Sequence, residues 1–252
     1  MIIEFIGSTG AGKTTLIAEV QRRLAQTTAV TTAFDLVAAP LGLRGVTHPT
    51  AKNLIQELVG LPFLIRSLHR HKAFVSFSLR MWARQANFTL FTLNNLRSLV
   101  RKIGVYEIIR RYERDRIILV DEGTVLLVHN LFVYSSAFYA AEEIARFATL
   151  IPLPDVIIYI RAPVDSLINR SLQRTDRPRE MKSKNRELIE QYVNRAVTVF
   201  ELVVKTEEIQ KRVLIVENPE SAARGCTTAA DTIIEFILTY QIPTDNYGSV
   251  GK

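Results

Sequence analysis

The sequence predicts an α/β protein, a five-stranded parallel sheet flanked by helices. Short β-branched runs alternate with long helical patterns, as strand–helix–strand crossovers require. A glycine-rich turn separates the first apolar run from the first helix. With 252 residues, 48% hydrophobic and 23% charged, the chain can bury one sizeable core and has an ordinary folding composition.

The elements follow in order. Ile2–Ile6 is the first strand, and the helix after it opens near Lys13 with Leu16, Ile17, Val20 and Leu24 on one face. Val30–Phe34 reads as the second strand, ending at Asp35. Ile117–Val120 is the third, fully apolar and stopped by two acids. Val156–Ile160 is the fourth and Val213–Val216 the fifth. Between the last two runs a long helix, with Leu188, Ile189, Tyr192, Val193, Ala196, Phe200 and Val203 at spacings of three and four. A final helix covers about Ala222–Tyr240. Residues 1–240 thus form a single domain, and 241–252 form a polar, loose tail.

Residues 50–114 interrupt the alternation. They read as a helical insert, broken near Pro62 and Gly104. Across 62–116 there are 12 Lys and Arg against three acids, a balance of +9, while the whole chain carries only +7. The protein's basicity therefore belongs to this insert. A solvated helical face, a pocket for an anionic acceptor, and a nucleic-acid or anionic membrane surface all remain open for it, nucleic acid being less favoured. Trp82, Phe74, Phe77 and Phe88, interleaved with Arg80 and Arg84, read as core.

A single cysteine, Cys226, excludes a disulfide framework and multi-cysteine zinc sites. The start lacks the layout of a secretion signal. Gly123–Ala141 carries no formal charge over 19 residues, but its Thr, His, Asn and Ser content suits a buried or pocket-lining helix better than a membrane span. The expectation is a soluble, cytoplasmic protein.

Gly7-Ser8-Thr9-Gly10-Ala11-Gly12-Lys13-Thr14, followed by Thr15, matches G-x-x-x-x-G-K-[ST] directly after a strand and before a helix. Glycines let the backbone wrap a phosphate, and the helix N-terminus adds partial positive charge. Lys13 is suited to the β- and γ-phosphates of ATP, and Thr14 to Mg²⁺. Asp121, at the end of the apolar third strand, is the second candidate for the Mg²⁺ shell. The chain lacks the N-K-x-D base-reading tetrad of GTPases, and Asp121-Glu122-Gly123 is one residue short of D-x-x-G.

After the fourth strand, Arg170 and Arg174 lie four apart on one helix face, and Arg174, Arg177 and Arg179 crowd a short loop. Such a cluster can close over a triphosphate and neutralise the transferring group. The phosphate loop, the Asp-ending strand, the R-x-x-x-R-x-D-R segment and the long helix after it resemble the thymidylate-kinase-like branch of the P-loop nucleoside and nucleotide kinases. The resemblance covers about 1–36 and 116–240. It implies strand order 2-3-1-4-5, Arg170 stacked on adenine, Arg174 on the phosphates, and the loop Glu217–Ser221 along the base.

Two departures stand out. The family's D-R-[YF], whose Arg holds an acceptor phosphate, is here Asp121-Glu122-Gly123, and the insert replaces most of the region that reads the acceptor. A Glu at that position repels a monophosphate and can accept a hydrogen bond from a hydroxyl. A hydroxyl acceptor also calls for a carboxylate to take its proton, and Asp35 and Glu122 are the two candidates. The expectation is ATP- and Mg²⁺-dependent transfer to a hydroxyl of a nucleoside, sugar or glycan-related metabolite. The alternatives are a nucleoside monophosphate kinase and a nucleotide-binding regulatory or nucleic-acid-associated ATPase.

Overall fold

Each apolar run that the sequence marks as a strand is one in the structure, a computed structural model that describes residues 1–84, 90–113, 115–134, 139–173, 185–218 and 222–240. In chain order the elements are β1 (Ile2–Ile6), α1 (Lys13–Leu24), β2 (Val30–Thr32), α2 (Ala33–Ala38), α3 (Pro49–Ala83), α4 (Leu90–Tyr112) and β3 (Ile117–Val120). They continue with α5 (Ala141–Leu150), β4 (Val156–Arg161), α6 (Val164–Gln173), α7 (Arg186–Val204), α8 (Glu207–Gln210), β5 (Val213–Glu217) and α9 (Ala222–Thr239). All neighbouring strands pair in parallel, in the order β2-β3-β1-β4-β5, as the resemblance implied.

The central strands β1 and β4 are buried almost throughout, which their Ile, Val and Phe content requires of a sheet covered on both faces. One charge breaks the pattern. Glu4, in the middle of β1, is 1% exposed.

The second strand is shorter than the sequence suggested. It ends at Thr32, whose hydroxyl accepts the amide of Asp35 and so starts α2. A Thr followed three residues later by an acid is a helix-starting signal, and it overrides the β-branched run before it. Asp35 therefore lies in the first turn of a helix rather than at a strand end.

The insert also differs from expectation. α3 runs unbroken through Pro62, and α4 through Gly104. Pro62 and Leu58 are both exposed, which leaves the carbonyl deprived of its partner open to water. Gly104 marks a close helix crossing instead of a break, because a Cβ there would stand 2.3 Å from the carbonyl oxygen of Gly60.

The insert is part of the main body. Phe74, Phe77, Met81, Trp82, Leu99 and Ile103 join the principal core with β1, β4 and α7. Val105, Tyr106, Ile108 and Ile109 form a second core with Ile2, Ile118, Val120 and α2. His71, buried, bonds Glu107 at 2.7 Å, and Arg70 meets the same carboxylate at 2.5 Å. The uncharged stretch after β3 buries Val125, Leu127, Val128, Leu131, Phe132 and Val133, with a π-helical turn over His129–Val133. Among the described residues no helix is long and apolar enough to cross a membrane. Phe88, Arg179 and the tail 241–252 lie outside the described residues.

Candidate active site

The phosphate loop joins β1 to α1. Gly7, Gly10 and Gly12 take φ values of +145°, +85° and +89°, a backbone that side chains rarely adopt. Gly7 has no room either, since a Cβ would stand 2.6 Å from the carbonyl oxygen of Ile160. The amides at the start of α1 have no acceptor within the helix, so they face outward for a ligand. The Lys13 ammonium folds back along the loop, donating to the carbonyls of Gly7 at 2.8 Å and Ser8 at 3.3 Å.

Because β3 pairs directly with β1, its end delivers Asp121 to the loop. The Thr14 hydroxyl donates to Asp121 Oδ2 at 3.2 Å. These are two hard oxygen donors side by side, and Mg²⁺ is held by one or two such groups while keeping several waters. The pair fits Mg²⁺, as the loop fits a triphosphate. Burial pushes the Asp121 carboxyl upward in pKa, and the nearby Lys13 ammonium opposes that shift most.

Arg170, on α6, reaches over the loop and donates to the Gly10 carbonyl at 3.2 Å. Asn218, just past β5, donates to the Ala11 carbonyl at 2.7 Å from the other side. Ser8, Thr9 and Thr15 stay with the loop, Thr9 and Thr15 facing the cavity. Arg174 and Arg177 lie outside the described residues, as do residues 219–221 of the loop expected along the base.

A cavity of about 1050 Å³ opens from the phosphate loop. Its far wall is Phe34 of α2, Lys52, Asn53 and Gln56 of α3, and Arg101, Lys102, Val105 and Tyr106 of α4. The insert thus supplies part of the wall of the cavity that carries the phosphate loop. Lys52 sits 4.8 Å over the ring of Phe34.

The two candidate bases are placed differently. Glu122 lines the cavity, 57% exposed, and accepts from Arg101 at 3.2 Å. Asp35 accepts from the Thr32 hydroxyl at 2.7 Å and closes its own helix turn. The structure brings Lys13, Thr14, Asp121 and Glu122 together with Arg170, and leaves Asp35 off the cavity lining.

Sequence reasoning missed four groups. Glu4 accepts from the amides of Val125 and Leu126 at 3.1 and 2.9 Å, and from the Thr124 hydroxyl at 3.4 Å. It thereby pins the segment that follows Asp121. Gly123 makes this approach possible, because a Cβ there would lie 2.3 Å from the Glu4 carboxylate. Desolvation raises the Glu4 pKa to about 7, with the three hydrogen bonds and Lys102 opposing it. His129, against Tyr192 at 3.2 Å, is lowered to about 3, first by burial and then by Lys13 and Lys102. Lys102 is 4% exposed. Arg101 beside it bridges Glu57 and Glu122. A charge inside an apolar strand, and a Lys in line with Leu99 and Tyr106, were the available signals.

No protein-family model matches the sequence, and no curated protein matches it. Among solved structures it is similar to deoxyadenosine kinase from M. mycoides with the products dCMP and dCDP bound. That match has 15% identity and a TM-score of 0.50, over 95% of this chain and 100% of the other. Two further matches are thymidylate kinase from Ehrlichia chaffeensis (13% identity, TM-score 0.48, covering 94% and 98%) and shikimate kinase from Bacteroides thetaiotaomicron (11%, 0.47, 94% and 98%). The chain has the P-loop nucleoside and nucleotide kinase fold.

Proposed function

We propose that this protein transfers the γ-phosphoryl group of ATP to a hydroxyl of a small molecule. The observation that carries the reading is the meeting of Lys13, Thr14 and Asp121 at one end of a cavity whose other wall is built by a polar helical insert. An ATP-driven switch needs the first feature but has no use for the second.

In the proposed reaction the acceptor oxygen forms a bond to the γ-phosphorus as the β–γ bridging bond breaks, its electron pair leaving with ADP. The hydroxyl proton passes to Glu122, the carboxylate that faces the cavity. Asp35 would serve only after releasing Thr32. Loop amides and Lys13 would hold the phosphates, and Thr14 and Asp121 would hold Mg²⁺, which would supply charge neutralisation to the transferring group. Arg170 would flank the adenine side; the role of Arg174 and Arg177 toward the transferring group rests on the sequence pattern alone, as both lie outside the described residues.

The test is ADP release with nucleosides, sugars and their monophosphates as acceptors, alongside thermal stabilisation by millimolar Mg·ATP. Turnover with a hydroxyl acceptor is expected. Turnover confined to nucleoside monophosphates would replace this reading with a nucleotide kinase, and Glu122→Gln would then be nearly harmless. Absence of any stabilisation by Mg·ATP would remove the kinase reading itself.

A further inference from the structure

The part of the cavity wall formed by α4 contains a buried cation with one long described hydrogen bond. Lys102 is 4% exposed, yet it lines the cavity from α4. Its ammonium has three donors, and its described partner is Asn130 Oδ1 at 3.5 Å, the long limit of a hydrogen bond. No ion pair joins it to a carboxylate among the described residues. Asn130 is itself held in place, donating to Asn95 at 2.9 Å.

The nearby carboxylates are committed elsewhere. Glu4 takes three hydrogen bonds from residues 124–126. Asp121 Oδ2 takes the Thr14 hydroxyl, and Glu122 Oε2 takes Arg101. Burying a Lys costs several kcal/mol unless its charge is answered. Desolvation accordingly brings its pKa down to about 8, while Glu122, Glu4 and Asp121 pull the other way from a distance. None of them is in hydrogen-bond contact with the ammonium, and the cavity that Lys102 lines gives a further anion access to it.

We infer that the acceptor is an anionic hydroxy compound, a hydroxy acid or a phosphorylated sugar, whose negative group is held by Lys102. The inference rests on the kinase reading for the word acceptor. Three features favour the acceptor over ATP as the source of that anion. Lys102 stands on the insert rather than on the loop. Lys13 already serves the phosphates. Of the three carboxylates that line the cavity, Glu122 is offset by Arg101, Asp121 takes the Thr14 hydroxyl, and Glu4 takes the amides of Val125 and Leu126.

The test uses matched probe pairs, D-glycerate against glycerol and ribose 5-phosphate against ribose, titrated by calorimetry into protein saturated with Mg·ADP. In at least one pair the anionic member is expected to bind about 10- to 100-fold more tightly than its neutral partner, the range for a hydrogen bond to a charged group. Lys102→Met should erase that preference, Lys102→Arg should keep part of it, and Mg·ATP affinity should be unchanged in both. Equal binding within both pairs, or no binding by any anionic probe, overturns the inference, and both outcomes are read on the wild-type protein even if Lys102→Met fails to fold. So does a Lys102→Met variant that loses Mg·ATP and keeps the anionic probe. The two pairs separate carboxylate from phosphate. If the preference and its loss stand while no phosphate is ever transferred, the kinase reading falls and the anion site remains.

Discussion

At the phosphate end of the cavity, consecutive residues from Gly7 to Thr15 supply the loop amides, the lysine and the threonine, and one neighbouring strand adds Asp121. At the proposed acceptor end, the wall is gathered from Phe34, Lys52, Asn53, Gln56, Arg101 and Lys102, spread over three helices. Most phosphate recognition is backbone geometry, written locally in glycines. The proposed acceptor recognition is side-chain chemistry that exists only once α3 and α4 have crossed. A defect at one end should therefore leave the other intact, and this independence can be tested.

The largest effect belongs to Lys13→Ala. Removing the charge that meets the β- and γ-phosphates should lower phosphoryl transfer by about 10³-fold or more. The far-UV spectrum and the binding of acceptor-side probes should not change. Loss of probe binding would show that the two ends are one cooperative unit. Next comes Arg174→Ala, expected to reduce kcat by about 10²-fold with little change in acceptor KM, the behaviour of a contact made in the transition state. An unchanged kcat would leave the arginine cluster a solvated face.

How much the sequence disclosed follows the same division. The strands, the loop, Lys13, Thr14 and Asp121 were readable because each depends on residues adjacent in the chain or on a strand end. Asp35 lies in a helix rather than at a strand end because the Thr32 cap overrides the β-branched run Val30–Thr32. Pro62 and Gly104 looked like helix breakers because local propensity cannot know that one faces solvent and the other faces Gly60. Glu4 and Lys102 lie far apart in the chain and have meaning only relative to Gly123 and Asn130.

Gly104→Ala probes the crossing that builds the acceptor wall. Alanine favours an isolated helix by about 1 kcal/mol. Here its methyl would press on the Gly60 carbonyl at 2.3 Å, and such overpacking costs about 1–3 kcal/mol. Backbone is the obstacle and cannot rotate away, so a net loss is expected in urea unfolding, with Mg·ATP still stabilising the variant. A gain in stability would mean that the helices separate freely.

The smallest net effect comes from two buried groups lining the cavity whose pH dependences oppose each other. His129 has a pKa of about 3 in the fold against about 6.5 when exposed. Between those values only the unfolded chain binds the proton, so this group adds stability as pH rises towards 6.5. Glu4 has about 7 in the fold against about 4.5 when exposed, so between those values only the folded chain binds the proton. Its contribution is full below 4.5 and fades as pH climbs to 7. From 4.5 to 6.5 the two slopes oppose, each at most about 1.4 kcal/mol per pH unit. Single variants separate them. Relative to wild type, Glu4→Gln should gain stability with rising pH across 4.5–7, and His129→Phe should lose it across 3–6.5. Urea midpoints at half-unit pH steps give both differences, and titrating groups that do not interact with Glu4 or His129 cancel in the subtraction. Parallel curves for wild type and Glu4→Gln would mean that Glu4 keeps an ordinary carboxylate pKa. Its three hydrogen bonds from residues 124–126 would then outweigh its burial.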